Sequence, residues 1–183
     1  MPIRLATPAD AHTIARIHVL SWQGAYRGIV PDAHLDAMQI SHREAIWRER
    51  LHTAETETWL ADHNGEALGW INTGASRDND ATPDCGEVLA LYVLPEHWST
   101  GAGRALWLHA RSRMVSAGWR QISLWVLCDN LRAIRFYETA GFQPEPGSET
   151  ELTLGGKTLI ERRYRHTLVY TTDDLPPQTE PQP

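Results

Sequence analysis

The chain has 183 residues, 42% apolar and 22% charged, an ordinary balance for one folded domain. Its 17 Lys and Arg against 23 Asp and Glu leave a formal net charge of -6, which argues against a nucleic-acid or anionic-membrane binder, since both need a positive field. Met1-Pro2-Ile3-Arg4-Leu5-Ala6 lacks a charged-then-apolar leader, no run approaches the roughly 18 apolar residues of a membrane helix, and Cys85 and Cys128 form no Cys-x-x-Cys pair, so a reduced cytoplasmic protein is expected.

Residues 2–6 read as a short strand with Ile3 and Leu5 on one face. Thr7-Pro8-Ala9-Asp10 is a helix start: Thr7 caps, Pro8 fits the first helical position and Asp10 bonds back to free amides. Ala11, Ile14, Ala15 and His18 then recur at helical spacing. The stretch from Ser21 to Pro31 breaks that pattern and reads as a loop holding Trp22, Gly24, Tyr26 and Gly28. Rings in a loop either roof the core or line a substrate cleft. Asp32 caps a short helix with Leu35 and Met38, and Ser41-His42-Arg43-Glu44 is a capping box before Trp47 and Leu51.

Residues 57–62 and 66–73 read as a hairpin closed by Asn64-Gly65, a type I′ turn signal. A polar loop over 76–84 precedes a largely apolar strand from Glu87 to Leu94. A helix over 101–117 ends at Gly118, a strand runs from Ile122 to Leu127, and a helix runs from Asn130 to Ala140, stopped by Gly141. Segments 142–147 and 159–169 read as the last strands. This order predicts an α/β fold: one domain over 1–170, with a mixed central sheet of about six to seven strands flanked by helices. Residues 171–183 read as a disordered tail. The nine His show no metal-ligand spacing, so no metal is expected.

The chemistry concentrates in Leu91-Tyr92-Val93-Leu94-Pro95-Glu96-His97-Trp98-Ser99-Thr100-Gly101-Ala102-Gly103-Arg104, a buried strand entering a glycine-rich turn that opens a helix. Glycine lets the backbone approach a ligand, and the free amides of a helix N-terminus make an anion site. Arg104 adds a charge-assisted donor. A phosphate or pyrophosphate is implied. The dinucleotide fingerprint fails because position 106 is Leu, and the Walker pattern fails for want of its Lys.

A second motif follows in Asn130-Leu131-Arg132-Ala133-Ile134-Arg135-Phe136-Tyr137-Glu138-Thr139-Ala140-Gly141-Phe142. Here the sequence resembles the GNAT superfamily of acyl-CoA-dependent N-acetyltransferases. Trp98 to Gly103 matches that family's Gln/Arg-x-x-Gly-x-Gly/Ala loop except at its first position. Asn130 to Phe142 matches its Asn-x-x-Ala-x-x-Phe-Tyr-x-x-x-Gly-Phe pattern throughout. The resemblance covers about residues 2–169.

The resemblance implies acetyl-CoA as cosubstrate. Backbone groups of Leu91, Tyr92 and Val93 would hold the pantetheine arm, and Ser99, Thr100, Gly101, Ala102, Gly103 and Arg104 the pyrophosphate. Asn130 would bond the arm or cap its helix, and the motif alone leaves both open. Tyr137 would protonate the departing thiolate; its plainer reading is a core aromatic. Glu87 is the candidate base, six residues before Val93 and so expected on the same face; its plainer reading is a solvated carboxylate at a strand start. Trp22, Tyr26 and Arg27 would bind the acceptor, the rings suiting a cation and Arg27 a carboxylate. The expected reaction is direct transfer to a primary amine of a small molecule or peptide, by a monomer or homodimer with no nucleic-acid or membrane partner. Non-catalytic acyl-CoA sensing, or an interaction module on the same fold, is the alternative.

Overall fold

The computed structural model describes residues 1–53 and 55–168, so the tail expected over 171–183 lies outside the described residues. Strand β1 (Ile3–Leu5) passes through a 3-10 turn (Pro8–Asp10) into α1 (Ala11–Ala25). The Asp10 carboxylate accepts the Thr7 amide at 2.8 Å and the Arg4 guanidinium at 2.7 and 2.9 Å, which fixes this entry.

Helix α1 continues past Ser21 to Ala25, so the loop expected from Ser21 begins later. Gly24 misled the sequence reading, because glycine disfavours a helix interior by about 0.5–1 kcal/mol relative to Ala. Packing requires it there: a Cβ on Gly24 would stand 2.7 Å from Pro95 Cγ and 3.2 Å from the Trp98 ring. Helices α2 (Asp32–Asp36) and α3 (Ile40–Arg50) follow, and Ser41 sits inside the first turn of α3 rather than at its cap, which is Gln39.

Strands β2 (Thr56–His63) and β3 (Glu66–Ala75) form the expected hairpin, with Asn64 and Gly65 at φ 51° and 84°. Then come β4 (Cys85–Val93), α4 (Ala102–Ser116), β5 (Gln121–Leu127), α5 (Leu131–Thr139), β6 (Gln143–Pro144), β7 (Thr150–Leu154) and β8 (Lys157–Thr167). They build one eight-stranded sheet in the order β1-β2-β3-β4-β5-β8-β6, with β7 also on β8. The strand expected over 142–147 shrinks to Gln143–Pro144, and β7 brings the total above the expected six to seven.

Two apolar layers clasp the sheet. Ala11, Ile14 and Trp47 from α1 and α3 pack on Leu60 and Trp70, while Leu106, Ala110 and Met114 from α4 pack on Ile71 and Leu124 with Phe142.

The pairing of β4 creates the site. It runs antiparallel to β3 along its length, but parallel to β5 only from Cys85 to Glu87, opposite Gln121 to Ser123. Val88 opposes Thr73 and Ala90 opposes Asn72, so Leu89 is an unpaired bulge. A bulge bends its strand and raises the local twist, and beyond it β4 and β5 separate. The bulge also resets the alternation of faces: Val88, Leu91 and Val93 join the α4 layer, whereas Ala90 and Tyr92 join the α1 layer.

Candidate active site

A cleft of about 600 Å³ opens between the separated strands. It is bounded by β4 from Val88 to Val93, the turn into α4 and the start of α5. Trp22 and Tyr26 close it from the end of α1, and Leu152, Leu154 and Glu161 from the β7–β8 hairpin.

At one end the backbone of β4 is the wall. The Leu94 amide bonds Leu68 O at 2.9 Å, so by alternation the amides and carbonyls of Leu91 and Val93 turn toward the gap. The Val93 carbonyl is already committed, accepting Trp98 Nε1 at 2.8 Å and Ser21 Oγ at 3.0 Å. The Leu91 groups and the Val93 amide remain for a ligand strand. The Tyr92 side chain points to the α1 layer, where its hydroxyl accepts Trp22 Nε1 at 2.8 Å.

The next turn is shaped for an anion. Ser99 and Gly101 take φ 63° and 93°, and the Ala105 amide bonds Gly101 O at 2.9 Å, leaving the preceding amides of α4 outward. The Thr100 hydroxyl donates to His97 O at 2.8 Å and so holds the turn itself. Ala102 is buried beneath it, Gly103 lines the cleft, and Arg104 is exposed beside the opening. Arg132 stacks its guanidinium 4.0 Å over the Trp98 ring, adding a second positive charge.

Asn130 caps α5, its Oδ1 accepting the Ala133 amide at 3.1 Å, while it also lines the cleft. Tyr137 lines the cleft between Phe136 and Phe142, with ring centroids 5.3 and 5.7 Å away. Burial, with Tyr92 adding to it, pushes its phenol above the ordinary value of 10.

Glu87 does not join this group. It is buried at 2% exposure, and Arg77 grips both carboxylate oxygens, Nη2 to Oε1 at 2.6 Å and Nε to Oε2 at 3.2 Å. It is not part of the cleft wall. The expected shared face with Val93 is overturned by the Leu89 bulge, which puts an odd residue between them.

At the far end Trp22 and Tyr26 meet edge to face at 4.8 Å. Burial lifts the Tyr26 phenol well above its usual value; Tyr92, Tyr137 and Glu161 act in the same direction, and an Asn130 hydrogen bond opposes them. Arg27 is outside the cleft wall, paired with Asp32 at 3.2 Å and with Asp36. Glu161, half-buried, projects into the cleft from β8. Burial raises its pKa; Arg77 opposes, and Asp78 and Glu87 reinforce it. Among the described residues no group of three His, Cys, Asp or Glu is placed to hold a metal, and no helix is long and apolar enough to cross a membrane.

A strand splayed beyond a bulge and a glycine turn at a helix N-terminus suit an extended ligand that carries an anionic group. Residues 16–142 match the Acetyltransferase (GNAT) family. The chain belongs to that family and is a GNAT N-acetyltransferase. It is 30% identical over 159 residues to the uncharacterised N-acetyltransferase YuaI of Bacillus subtilis, covering 87% of this chain and 88% of that one. The ribosomal-protein-alanine N-acetyltransferase of Brucella melitensis superposes with a TM-score of 0.73 at 17% identity, over 92% of this chain and all of that one (100%). The PaiA N-acetyltransferase of Thermoplasma acidophilum, solved with coenzyme A, does so with a TM-score of 0.67 at 23% identity, over 90% and 100%. Acetyl-CoA is the cosubstrate typical of the family.

In this GNAT cleft, two residues were not singled out from the sequence. Arg132 lies two positions after the cap Asn130, a spacing that puts it on the first turn facing the phosphate loop. Glu161 lies within the segment 159–169 already read as a strand, but without β7 nothing set that strand against the cleft; Gly155-Gly156, at φ 57° and 80°, is the hairpin signal that points to β7.

Proposed function

We propose that this GNAT enzyme passes the acetyl group of acetyl-CoA directly to a primary amine of a small molecule or peptide. The observation that carries this reading is Tyr137, facing the gap where β4 leaves β5. The pantetheine arm extends β4 as an added strand, pairing with Leu91 and the Val93 amide. The pyrophosphate rests on the turn from Ser99 to Arg104, with Arg132 beside it. The thioester then lies next to Tyr137, and the amine arrives past Trp22 and Tyr26.

The amine lone pair forms a bond to the thioester carbonyl carbon, and the carbon–sulfur bond breaks with its electron pair leaving on sulfur. The amine must first lose a proton, since a free alkylammonium has a pKa near ~10 by analogy with Lys. Glu161, whose burial favours the protonated form, takes it directly or through water. Glu87 acts at one remove, fixing Arg77 and adding negative charge near Glu161. Tyr137 keeps its proton at neutral pH and donates a hydrogen bond to the departing thiolate. Full transfer to a sulfur of pKa about 8.5 is uphill for so weak an acid, so the thiolate takes its proton through solvent, balanced by the second proton that the attacking nitrogen sheds as it becomes the amide. Cys85 and Cys128 are both free thiols and neither lines the cleft, in keeping with a reaction that uses no acyl-cysteine and with a cytoplasmic setting.

Tyr137→Phe tests the reading. It should lower kcat by about 10²-fold, the scale of a lost hydrogen-bond donor to charge that develops in the transition state, with the Kd for CoA within about threefold. Thiol release and calorimetry report the two quantities, and an unchanged kcat removes Tyr137 from the chemistry. An acyl-CoA sensor would bind CoA tightly and release no thiol with any amine.

A further inference from the structure

The two ends of the cleft differ in charge and polarity. Its cations, Arg104 and Arg132, stand at the glycine turn. Another part of the wall is the apolar cluster of Trp22, Tyr26, Leu127, Leu152 and Leu154, with Glu161 as the carboxylate beside it. The polar edge of Trp22 is spent on Tyr92, so it offers the cleft carbon surface rather than a donor.

Among the described residues, the cations near that part of the wall are committed to other partners rather than open to an acid group. Arg27 turns out to Asp32 and Asp36. Arg77, near enough to influence Glu161, is held bidentate by buried Glu87. Arg163 is taken by Asp78 at 3.0 Å, Asp80 at 2.6 Å and Glu145 at 2.6 Å. Lys157 donates to Ile29 O at 2.7 Å, outside the cleft wall. A carboxylate-bearing acceptor would give up its hydration and find Glu161 as its neighbour, a like-charge arrangement that disfavours binding. A polyamine would satisfy Glu161 with one ammonium and strand the others against leucines.

We propose that the acceptor is a primary amine borne on an apolar, uncarboxylated body, of the arylalkylamine type, with its amine at Glu161 and its body between the Trp22–Tyr26 rings and the Leu152–Leu154 wall. This rests on the acetyl-transfer reading and narrows it to a substrate class. The acidic end recognises the amine, and the absent counter-cation excludes its amino-acid counterpart.

The test uses the full chain and three probes: phenethylamine, phenylalanine and spermidine. With acetyl-CoA saturating, kcat/KM for phenethylamine should exceed that for each of the others at least tenfold. Glu161→Gln should collapse the phenethylamine-to-phenylalanine ratio, a quotient from which any general loss of rate cancels. Leu152→Arg, which adds a cation to the apolar wall, should move preference toward phenylalanine, and an intact CoA isotherm shows that each variant is folded. Equal or better use of phenylalanine or spermidine, or a ratio untouched by both variants, overturns the proposal. Calorimetry on the CoA complex separates the two levels. Phenethylamine that binds in a Glu161-dependent way but is never acetylated refutes the transfer reading and keeps the acceptor class. No binding of phenethylamine refutes the acceptor class.

Discussion

Trp98 occupies the one loop position where the chain departs from its family's polar residue, and its indole does two things there. It donates to the Val93 carbonyl at 2.8 Å, and it carries Arg132 at 4.0 Å on its face. A cation–π contact is worth about 0.5–2 kcal/mol and a net hydrogen bond about 1 kcal/mol. Trp98→Ala should therefore raise the Kd for CoA roughly tenfold, a loss of about 1.4 kcal/mol, and the salt dependence of binding should change as Arg132 is released. An unchanged isotherm would leave the phosphates to the backbone turn alone. As the proposed base, Glu161 should set the pH response. Its folded pKa is raised, so it sheds its proton at a higher pH than a free carboxylate. The acidic limb of kcat/KM should rise with pH at a point above the ordinary 4.5, and Glu161→Gln should remove that limb.

At the scale of elements, the bulge in β4 and the cap of α5 shape the cleft proposed to hold the cofactor. Asn130→Ala should cost about 1 kcal/mol by loss of the cap, seen as a lower Tm, together with weaker CoA binding if its side chain also reaches the arm. Asn130→Ser keeps a capping oxygen but shortens the reach. A restored Tm with restored affinity assigns the residue to capping alone, whereas a restored Tm with affinity still lost assigns it to the ligand as well. The elements best read from sequence were those with strong local signals: the Asn64-Gly65 hairpin, the glycine turn and the Asn130 cap. What escaped reading depends on tertiary contact. Gly24 sits inside α1 because Pro95 and Trp98 press against it. Leu89 carries no Gly or Pro to announce a bulge, so Glu87 was put on the wrong face. The Leu152–Leu154 side of the cleft needed β7, whose alternation over Leu152-Thr153-Leu154 is too short to stand without the Gly155-Gly156 turn and its pairing with β8.

Across the whole molecule, acid stability should fall in two stages. His18 is buried among Trp22, Trp70 and Tyr92, its Nε2 has no partner among the described residues, and burial, aided by Arg43 and Arg50, pushes its pKa down to about 3. The unfolded chain protonates it near the ordinary 6.5, so stability is lost as pH falls below that value, by about 2 kcal/mol between pH 7 and 5. Denaturant unfolding at those two pH values should show this loss, and His18→Gln should flatten it. The second stage belongs to carboxylates held low by arginines: Asp10, at about 2 through Arg4, and Asp80 and Glu145, lowered through Arg163. Their contribution is complete above the ordinary carboxylate range and drains away as pH drops through it.

The stack of Arg132 on Trp98 has an optical side. Indole emission responds to charge over the ring face, and a phosphate that draws the guanidinium away alters that charge. Trp98 should therefore report on cofactor arrival from within the cleft wall, which Trp22 also lines on the side proposed for the amine. Titrating CoA should shift the fluorescence of the native chain, and the part of the shift lost in Arg132→Ala is the signal of that one contact. The order in which the two substrates load can then be read without attaching any dye.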